Sequence, residues 1–142
     1  MRLCIKRGFY AIFASKIENM KLILVIGTGS FIGGVFRYLL SILIQAKTTT
    51  HFPLHTLAVN VIGCFFIGIV MGFFDKGQVS HEWKLFLTTG VLGGFTTFSA
   101  FSNETFALFR EGHACHALIY ILASVLLGLL ATYIACLMVK YF

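Results

Sequence analysis

The stretch LFLTTGVLGGFTTFSAFSNETFALF, residues 85–109, decides the fold. It contains a single ionisable residue, Glu104, and it is longer than the roughly 20 residues that a helix needs to cross about 30 Å of hydrocarbon. Three further apolar segments, residues 22–44, 54–74 and 117–139, also reach this length. The sequence therefore predicts an all-α integral membrane protein with four transmembrane helices.

The composition excludes a soluble domain of this size. Of the 142 residues, 58% are hydrophobic and only 11% are charged, and the mean hydropathy is +0.92. Polar side chains are too few to cover a surface that faces water. The connections between the apolar segments are too short to fold separately. We therefore expect residues 20–142 to form a single four-helix transmembrane domain.

Residues 1–19 form a basic N-terminal extension, which we expect to be a weak targeting segment or an addition upstream of a functional start at Met20. Without it the net charge falls from +6 to +3, because seven Lys or Arg stand against four acids from Met20 onward. This balance argues against a nucleic-acid partner. Lys and Arg near the segment ends indicate a cytoplasmic N-terminus, with only a small bias when the extension is left out.

The sequence argues against an enzyme active site, a histidine metal site and a small multidrug exporter. The serines lie mid-membrane and away from the histidines, so no nucleophile and base can be paired and no enzyme is expected. Surface positions are expected rather than a metal site for the five histidines, His51, His55, His81, His113 and His116. Segments one, two and four contain no acid, whereas the small four-helix multidrug exporters depend on a carboxylate in the first helix.

Glycines four residues apart predict where the helices pack closely. Gly29 and Gly33 share a face of the first helix, and Gly68 and Gly72 share a face of the second. The GxGxxxG pattern in residues 27–34 resembles a dinucleotide loop only superficially, because the required strand and βαβ unit are missing. Packing is therefore the better interpretation of these glycines.

Polar side chains lie within the first, second and fourth predicted helices. Asn60 shares a face with Thr56, and it is expected either to hydrogen-bond another helix or to face a polar pathway. Arg37, near the end of the first helix, is expected either to snorkel to the interface or to give a pore an electropositive vestibule. In the fourth helix a ladder of four-residue spacing comprises Tyr120, Ser124 and Gly128.

Residues 93–104, GGFTTFSAFSNE, predict a break in the third helix. Paired glycines followed by β-branched threonines weaken a helix, so we expect the break at residues 93–96. Carbonyls freed at this depth must meet protein, water or an ion, and a sodium ion suits such oxygen ligands. Phe98 and Phe101 then share one face, beside a second face that carries Ser99 and Ser102. An aromatic ring edge is electropositive and can contact an anion.

Four motifs in this order resemble those of the CrcB/Fluc fluoride channel family. They are GGVFRY (33–38), TLAVNVIG (56–63), GGFTTFSAFSNE (93–104) and YILASVLLG (120–128). The similarity covers roughly residues 20–138, through all four helices, and the third motif is the specific one. The resemblance implies an antiparallel dimer of four-helix subunits in the cell membrane, with two fluoride pores at the subunit interface.

The resemblance also implies roles for individual residues. A structural sodium ion at the dimer centre would be held by the backbone carbonyls of Gly93 and Thr96 from both subunits. Arg37 would lie at the vestibule, and the role of Glu104 is left open. The pore would be lined by Asn60, Thr56, Phe98, Phe101, Ser99, Ser102, Tyr120 and Ser124.

Two positions depart from the family pattern. The family motif usually reads TTFST, and Ala100 takes its last position, which removes one hydroxyl. Gly128 stands where many members have a further serine. That part of the polar ladder would then rely on water.

The expected function is a passive, fluoride-selective channel that lets fluoride leave the cytoplasm and so reduces its toxicity. Neutral donors and positive ring edges suit a small, strongly hydrated anion, whereas a cation channel would more often present acidic rings. Two alternatives stay open. One is a non-conducting or partner subunit of a heterodimeric channel, which the charge bias favours. The other is a coupled small-molecule exporter, for which flux would depend on pH through Glu104.

Overall fold

The computed structural model describes the backbone of residues 2–48, 50 and 52–142, and within these ranges the side chains from Met20 onward. Every regular element in the described part is helical. The elements are α1 (Arg2–Gln45), α2 (Leu54–Asp75), α3 (His81–Leu85), a π-helical segment π1 (Phe86–Leu92), α4 (Gly93–Phe95), α5 (Phe98–Arg110) and α6 (Ala114–Tyr141). The expectations for the 1–19 extension and for His51 concern side chains outside the described residues, and they stay predictions.

Four stretches are long and apolar enough to cross a membrane. They are Met20–Gln45, Leu54–Asp75, His81–Arg110 and Ala114–Tyr141, and each contains one of the predicted segments. Helices satisfy all of their backbone hydrogen bonds internally, which hydrocarbon demands. Large apolar side chains point outward along these spans, as lipid contact requires; Leu126, for example, is 63% exposed. The predicted four-helix transmembrane fold is confirmed.

Glycine pairs bring the spans together as predicted. A Cβ at Gly29 would lie 2.8 Å from the Phe86 carbonyl oxygen of π1, and one at Gly33 would collide with the carbonyl of Val91. On α2, a Cβ at Gly68 would lie 2.6 Å from the Thr132 carbonyl oxygen of α6. Backbones can approach this closely only where side chains are absent. The structure therefore consists of two tightly packed pairs, α1 with the π1–α4 half of the third span and α2 with α6.

The third span is interrupted at Thr96 and Thr97, which both adopt extended backbone angles between α4 and α5. Gly93 and Gly94, the first residues of the predicted break, are helical instead. Gly94 fits this conformation because it packs directly on the backbone of Ser30 in α1. The Thr96 hydroxyl also donates to the Leu92 carbonyl at 3.0 Å, closing the last turn of the first half. The interruption thus lies at the threonines rather than at the glycines.

Two tight turns set where α2 and α5 end. Gly77 and Gly112 have φ values of 70° and 80°, a region that suits glycine. After each of them the next backbone N–H reaches back to the helix: Gln78 donates to the Phe73 carbonyl at 3.1 Å, and His113 to the Leu108 carbonyl at 2.9 Å. The second turn directs α6 back along α5. This return brings Tyr120 beside Glu104.

Candidate functional site

Glu104 on α5 is the point where three helices meet. Its Oε1 accepts a hydrogen bond from the Thr56 hydroxyl of α2 at 2.7 Å. Its Oε2 accepts one from the Tyr120 hydroxyl of α6, also at 2.7 Å. Two charge-assisted bonds of this length stabilise a carboxylate that would otherwise be costly at membrane depth. Glu104, whose role the sequence left open, therefore holds α2, α5 and α6 together.

The same carboxylate contacts a histidine that the sequence placed at the surface. His55 Nε2 lies 3.2 Å from Glu104 Oε1, and the two side chains are only 24% and 21% exposed. His55 is therefore partly exposed and paired with an acid, a contact that the sequence did not predict. The sequence did contain one signal for this contact. His55 lies beside Thr56 at the start of α2, and a lone acid within a membrane span requires nearby polar partners.

An aromatic cluster continues from this junction toward the helix break. The Tyr120 side chain is fully buried. Its ring centroid lies 5.6 Å from that of Phe52 and 5.1 Å from that of Phe101. Phe101 in turn lies 5.5 Å from Phe98. The predicted shared face of Phe98 and Phe101 is therefore present, and it joins the buried tyrosine.

Phe98 and the two serines of the motif lie on an open face of the chain. Phe98 is 79% exposed, and Ser99 and Ser102 are also exposed. The Ser99 hydroxyl lies 3.2 Å from that of Thr97, next to the helix break. A single chain therefore provides only one wall for any pathway along these residues.

Asn60 braces the helix break from α2. Its Oδ1 accepts a hydrogen bond from the Thr97 N–H at 2.9 Å, and its Nδ2 donates to the Thr97 carbonyl at 3.3 Å. In a continuous helix the Thr97 N–H would instead donate to the Gly93 carbonyl. Of the two alternatives for Asn60, the geometry is that of an interhelical hydrogen bond. Its predicted contact with fluoride stays a prediction.

Gly63, one turn after Asn60, lets α2 approach the break. A Cβ at Gly63 would collide with the Cγ2 atom of Thr96. The break is therefore held by a polar contact at Asn60 and by the packing of the Thr96 side chain against the α2 backbone at Gly63.

Arg37 lines a cavity of about 260 Å³ on the α1 side of the break. The cavity is also lined by His55, Thr56, Thr97 and Glu104. The Arg37 Nε atom is buried and has no hydrogen-bond partner among the described residues. Arg37 therefore lines a cavity beside the break, and its role at a vestibule stays a prediction.

The middle rung of the ladder on α6 is an unpartnered hydroxyl. Ser124 Oγ is buried and finds no hydrogen-bond partner in the described part of the chain. A buried hydroxyl in that state is costly unless water or an ion satisfies it. One turn further on, a Cβ at Gly128 would lie 3.3 Å from the sulfur of Cys64. The described protein groups therefore leave the Ser124 hydroxyl unsatisfied, and its predicted contact with fluoride stays a prediction.

Comparison with known proteins connects this arrangement to one family. The family model described as "CrcB-like protein, Camphor Resistance (CrcB)" matches residues 24–136. The chain belongs to the CrcB family. The match runs through all four spans and includes every site residue named above.

Curated relatives of the CrcB chain carry a common name. A protein of Flavobacterium psychrophilum named "Fluoride-specific ion channel FluC" is 43% identical over 122 residues, which is 85% of this chain and 98% of the relative. Proteins of the same name from Phocaeicola vulgatus and Thermus thermophilus are 44% identical over 111 residues and 42% identical over 115. These two alignments cover 78% and 81% of this chain and 92% of each relative. The similarity therefore spans nearly the whole length of these relatives.

Proposed function

We propose that this chain forms a passive, fluoride-selective channel that releases cytoplasmic fluoride across the plasma membrane and so lowers its toxicity. The relatives named as fluoride-specific channels support fluoride as the ion that passes. The observation that carries the proposal is that α6 holds both a buried hydroxyl without a partner among the described residues, at Ser124, and the tyrosine that packs against Phe101. Ion conduction of this kind involves no catalysis.

The chemistry of the site suits a small anion. Fluoride is strongly hydrated, so a pathway must replace its water with convergent donors. Hydroxyls at Ser99, Ser102 and Ser124 and the edges of Phe98 and Phe101 supply positive charge without a fixed cation that would trap the ion. The one acid in this region, Glu104, already accepts two hydroxyl hydrogen bonds. The Glu104 carboxylate is therefore bound by hydroxyls of α2 and α6, and it is less available to bind a permeating cation.

We further propose that two copies assemble antiparallel, with the pores between them. Phe98, Ser99 and Ser102 lie exposed within a membrane span. Hydroxyls that face lipid find no hydrogen-bond partner there, whereas a second subunit would provide the other wall of the pore. A homologous partner chain is the alternative, which the charge bias toward one orientation favours. Mapping the termini in cells separates the two: mixed orientation supports a homodimer, and one fixed orientation supports a partner.

A structural sodium ion at the dimer centre completes the proposal. The Gly93 and Thr96 carbonyls from both subunits would hold it, since hard cations prefer oxygen ligands. The residues present suit this role, because Asn60 takes the Thr97 N–H that would otherwise occupy the Gly93 carbonyl. The positive charge of the ion would hold together the interrupted third spans of the two subunits. Replacing sodium by N-methylglucamine should lower the thermal stability of the dimer; no change would contradict the site.

Fluoride efflux from liposomes tests the channel itself. The wild-type protein should release fluoride much faster than chloride, and equal fluxes or none would overturn the proposal. Phe98→Ile and Phe101→Ile should each suppress fluoride flux, because isoleucine keeps the bulk and removes the ring edge. Phe66→Ile is the matched control, since Phe66 lies on α2 and is 49% exposed. Normal flux in both test variants would remove the ring-edge role.

A further inference from the structure

The contact between His55 and Glu104 connects a proton-accepting side chain to the only acid described within residues 98–110. His55 Nε2 lies 3.2 Å from Glu104 Oε1. That same oxygen accepts the Thr56 hydroxyl, and the other carboxylate oxygen accepts the Tyr120 hydroxyl. Two hydroxyl donors suit an ionised carboxylate, which accepts hydrogen bonds and donates none. The histidine therefore faces a carboxyl group whose two oxygens each accept a hydroxyl hydrogen bond.

The pair stands where two open cavities adjoin. His55 and Glu104 line the cavity of about 260 Å³ that contains Arg37. They also line a second cavity of about 270 Å³ that reaches Thr50 and Glu111. Both side chains are partly exposed. In the single chain the pair is therefore accessible through both cavities.

The charged and titratable groups around His55 come from every helix that packs near it. Arg37 comes from α1, Glu104 from α5, Glu111 from the turn that follows α5, and Tyr120 from α6. With neutral His55, the His55–Glu104 pair carries one negative charge. With protonated His55 the pair is neutral, and the positive charge of Arg37 in the same cavity is no longer offset.

We propose that His55 is a proton-operated charge switch at the entrance to the anion pathway. Protonation of His55 cancels the Glu104 charge and lets Arg37 attract anions into the cavity. Loss of the proton restores the negative charge and slows anion entry. Histidine is the side chain that changes charge near neutral pH, and a cleft of one sign of charge concentrates the opposite ion. The inference rests on the proposed fluoride channel.

The test measures fluoride efflux from liposomes with the same pH on both sides of the membrane. Equal pH removes any driving force from a proton gradient, and liposomes without protein correct for leakage of hydrogen fluoride. Wild-type flux should rise about threefold or more between about pH 8 and about pH 6. The variant His55→Gln keeps a hydrogen-bonding side chain but cannot become charged. It should give the same low flux at both pH values.

A second variant and a control keep the inference falsifiable if one substitution disturbs folding. His55→Lys carries its charge at both pH values and should stay at the high wild-type flux throughout. His116→Gln, which removes an exposed histidine at the start of α6, should respond to pH like the wild type.

Three outcomes overturn the switch: a pH-independent wild type, a wild-type pH response in His55→Gln, or a Lys variant at the flux of the Gln variant. A wild type that conducts no fluoride at either pH overturns the channel proposal as well. Uphill fluoride uptake driven by a pH gradient would instead indicate the coupled exporter.

Discussion

Replacing Asn60 by alanine tests whether its amide braces the helix break. The change removes two hydrogen bonds to Thr97, at 2.9 and 3.3 Å. It leaves the Thr97 N–H without the Asn60 oxygen, which takes the place of a helical carbonyl at the break. Side-chain hydrogen bonds in membrane bundles average about 0.6 kcal/mol and reach about 1.7, so two predict a loss of about 1–3 kcal/mol in unfolding free energy.

The assay combines unfolding in mixed detergent micelles with fluoride efflux from liposomes. If Asn60 braces the break, Asn60→Ala should lower both the stability and the flux. If Asn60 served only as a pore donor, the flux would fall while the unfolding free energy stayed unchanged, and that result would refute the reasoning.

Thr132→Val is a matched control for this experiment. It removes a hydroxyl that donates to the carbonyls of Cys64 and Gly128, at 2.9 and 3.1 Å, away from the break. It should lower stability by less than about 1 kcal/mol, because both carbonyls are within helices. Its fluoride flux should stay at the wild-type rate.

Two further substitutions probe the contacts on either side of the break. Gly63→Ala places a methyl group against Thr96, and overpacking of this kind should cost about 1–3 kcal/mol and reduce fluoride flux. Gly27→Ala is its control, since nothing lies within 4 Å of that position, and equal stability of the two variants would contradict the close approach. Tyr120→Phe removes one of the two hydroxyls on Glu104 and should lower unfolding stability by about 1–3 kcal/mol in the same assay, because a charged acceptor loses its donor. An unchanged stability would indicate that Glu104 does not hold α6.

The membrane fold could be predicted from sequence because few backbone structures are stable in hydrocarbon. Length and apolar composition alone located the four spans to within a few residues. The glycine pairs could also be assigned, since Gly29 and Gly33 pack on π1 as their spacing predicts. These signals are local and periodic. A single sequence contains them in full.

The position of the break could not be predicted closely, because it depends on neighbours far away in the chain. Local propensity favoured the glycines, yet Gly94 stays helical against Ser30 of α1. The interruption comes instead at Thr97, whose backbone is bonded by Asn60 from α2. The Thr97 hydroxyl also accepts a hydrogen bond from the Ala100 N–H at 3.4 Å and begins a new helix there. The tertiary contact thus overrides the local preference.

The contact between His55 and Glu104 was missed for a related reason. A histidine next to a proline-containing loop is typically at the surface, and nothing in the spacing connects residue 55 to residue 104. The two meet only because α5 restarts after the break, which sets the direction of Glu104 independently of the residues before Thr96. A continuous helical pattern through the third segment does not contain this information.

The structure divides the polar groups at membrane depth into two sets. Asn60, Thr56 and Glu104 have their hydrogen-bonding groups engaged with other helices. Ser124 Oγ and Arg37 Nε are buried without partners among the described residues. An engaged group must break a bond before it can replace the water of an ion, whereas an unpartnered group gains from doing so. We therefore expect Ser124 and the phenylalanine edges to contact the anion and Arg37 to lie at the entrance, while Asn60 and Glu104 hold the helices together.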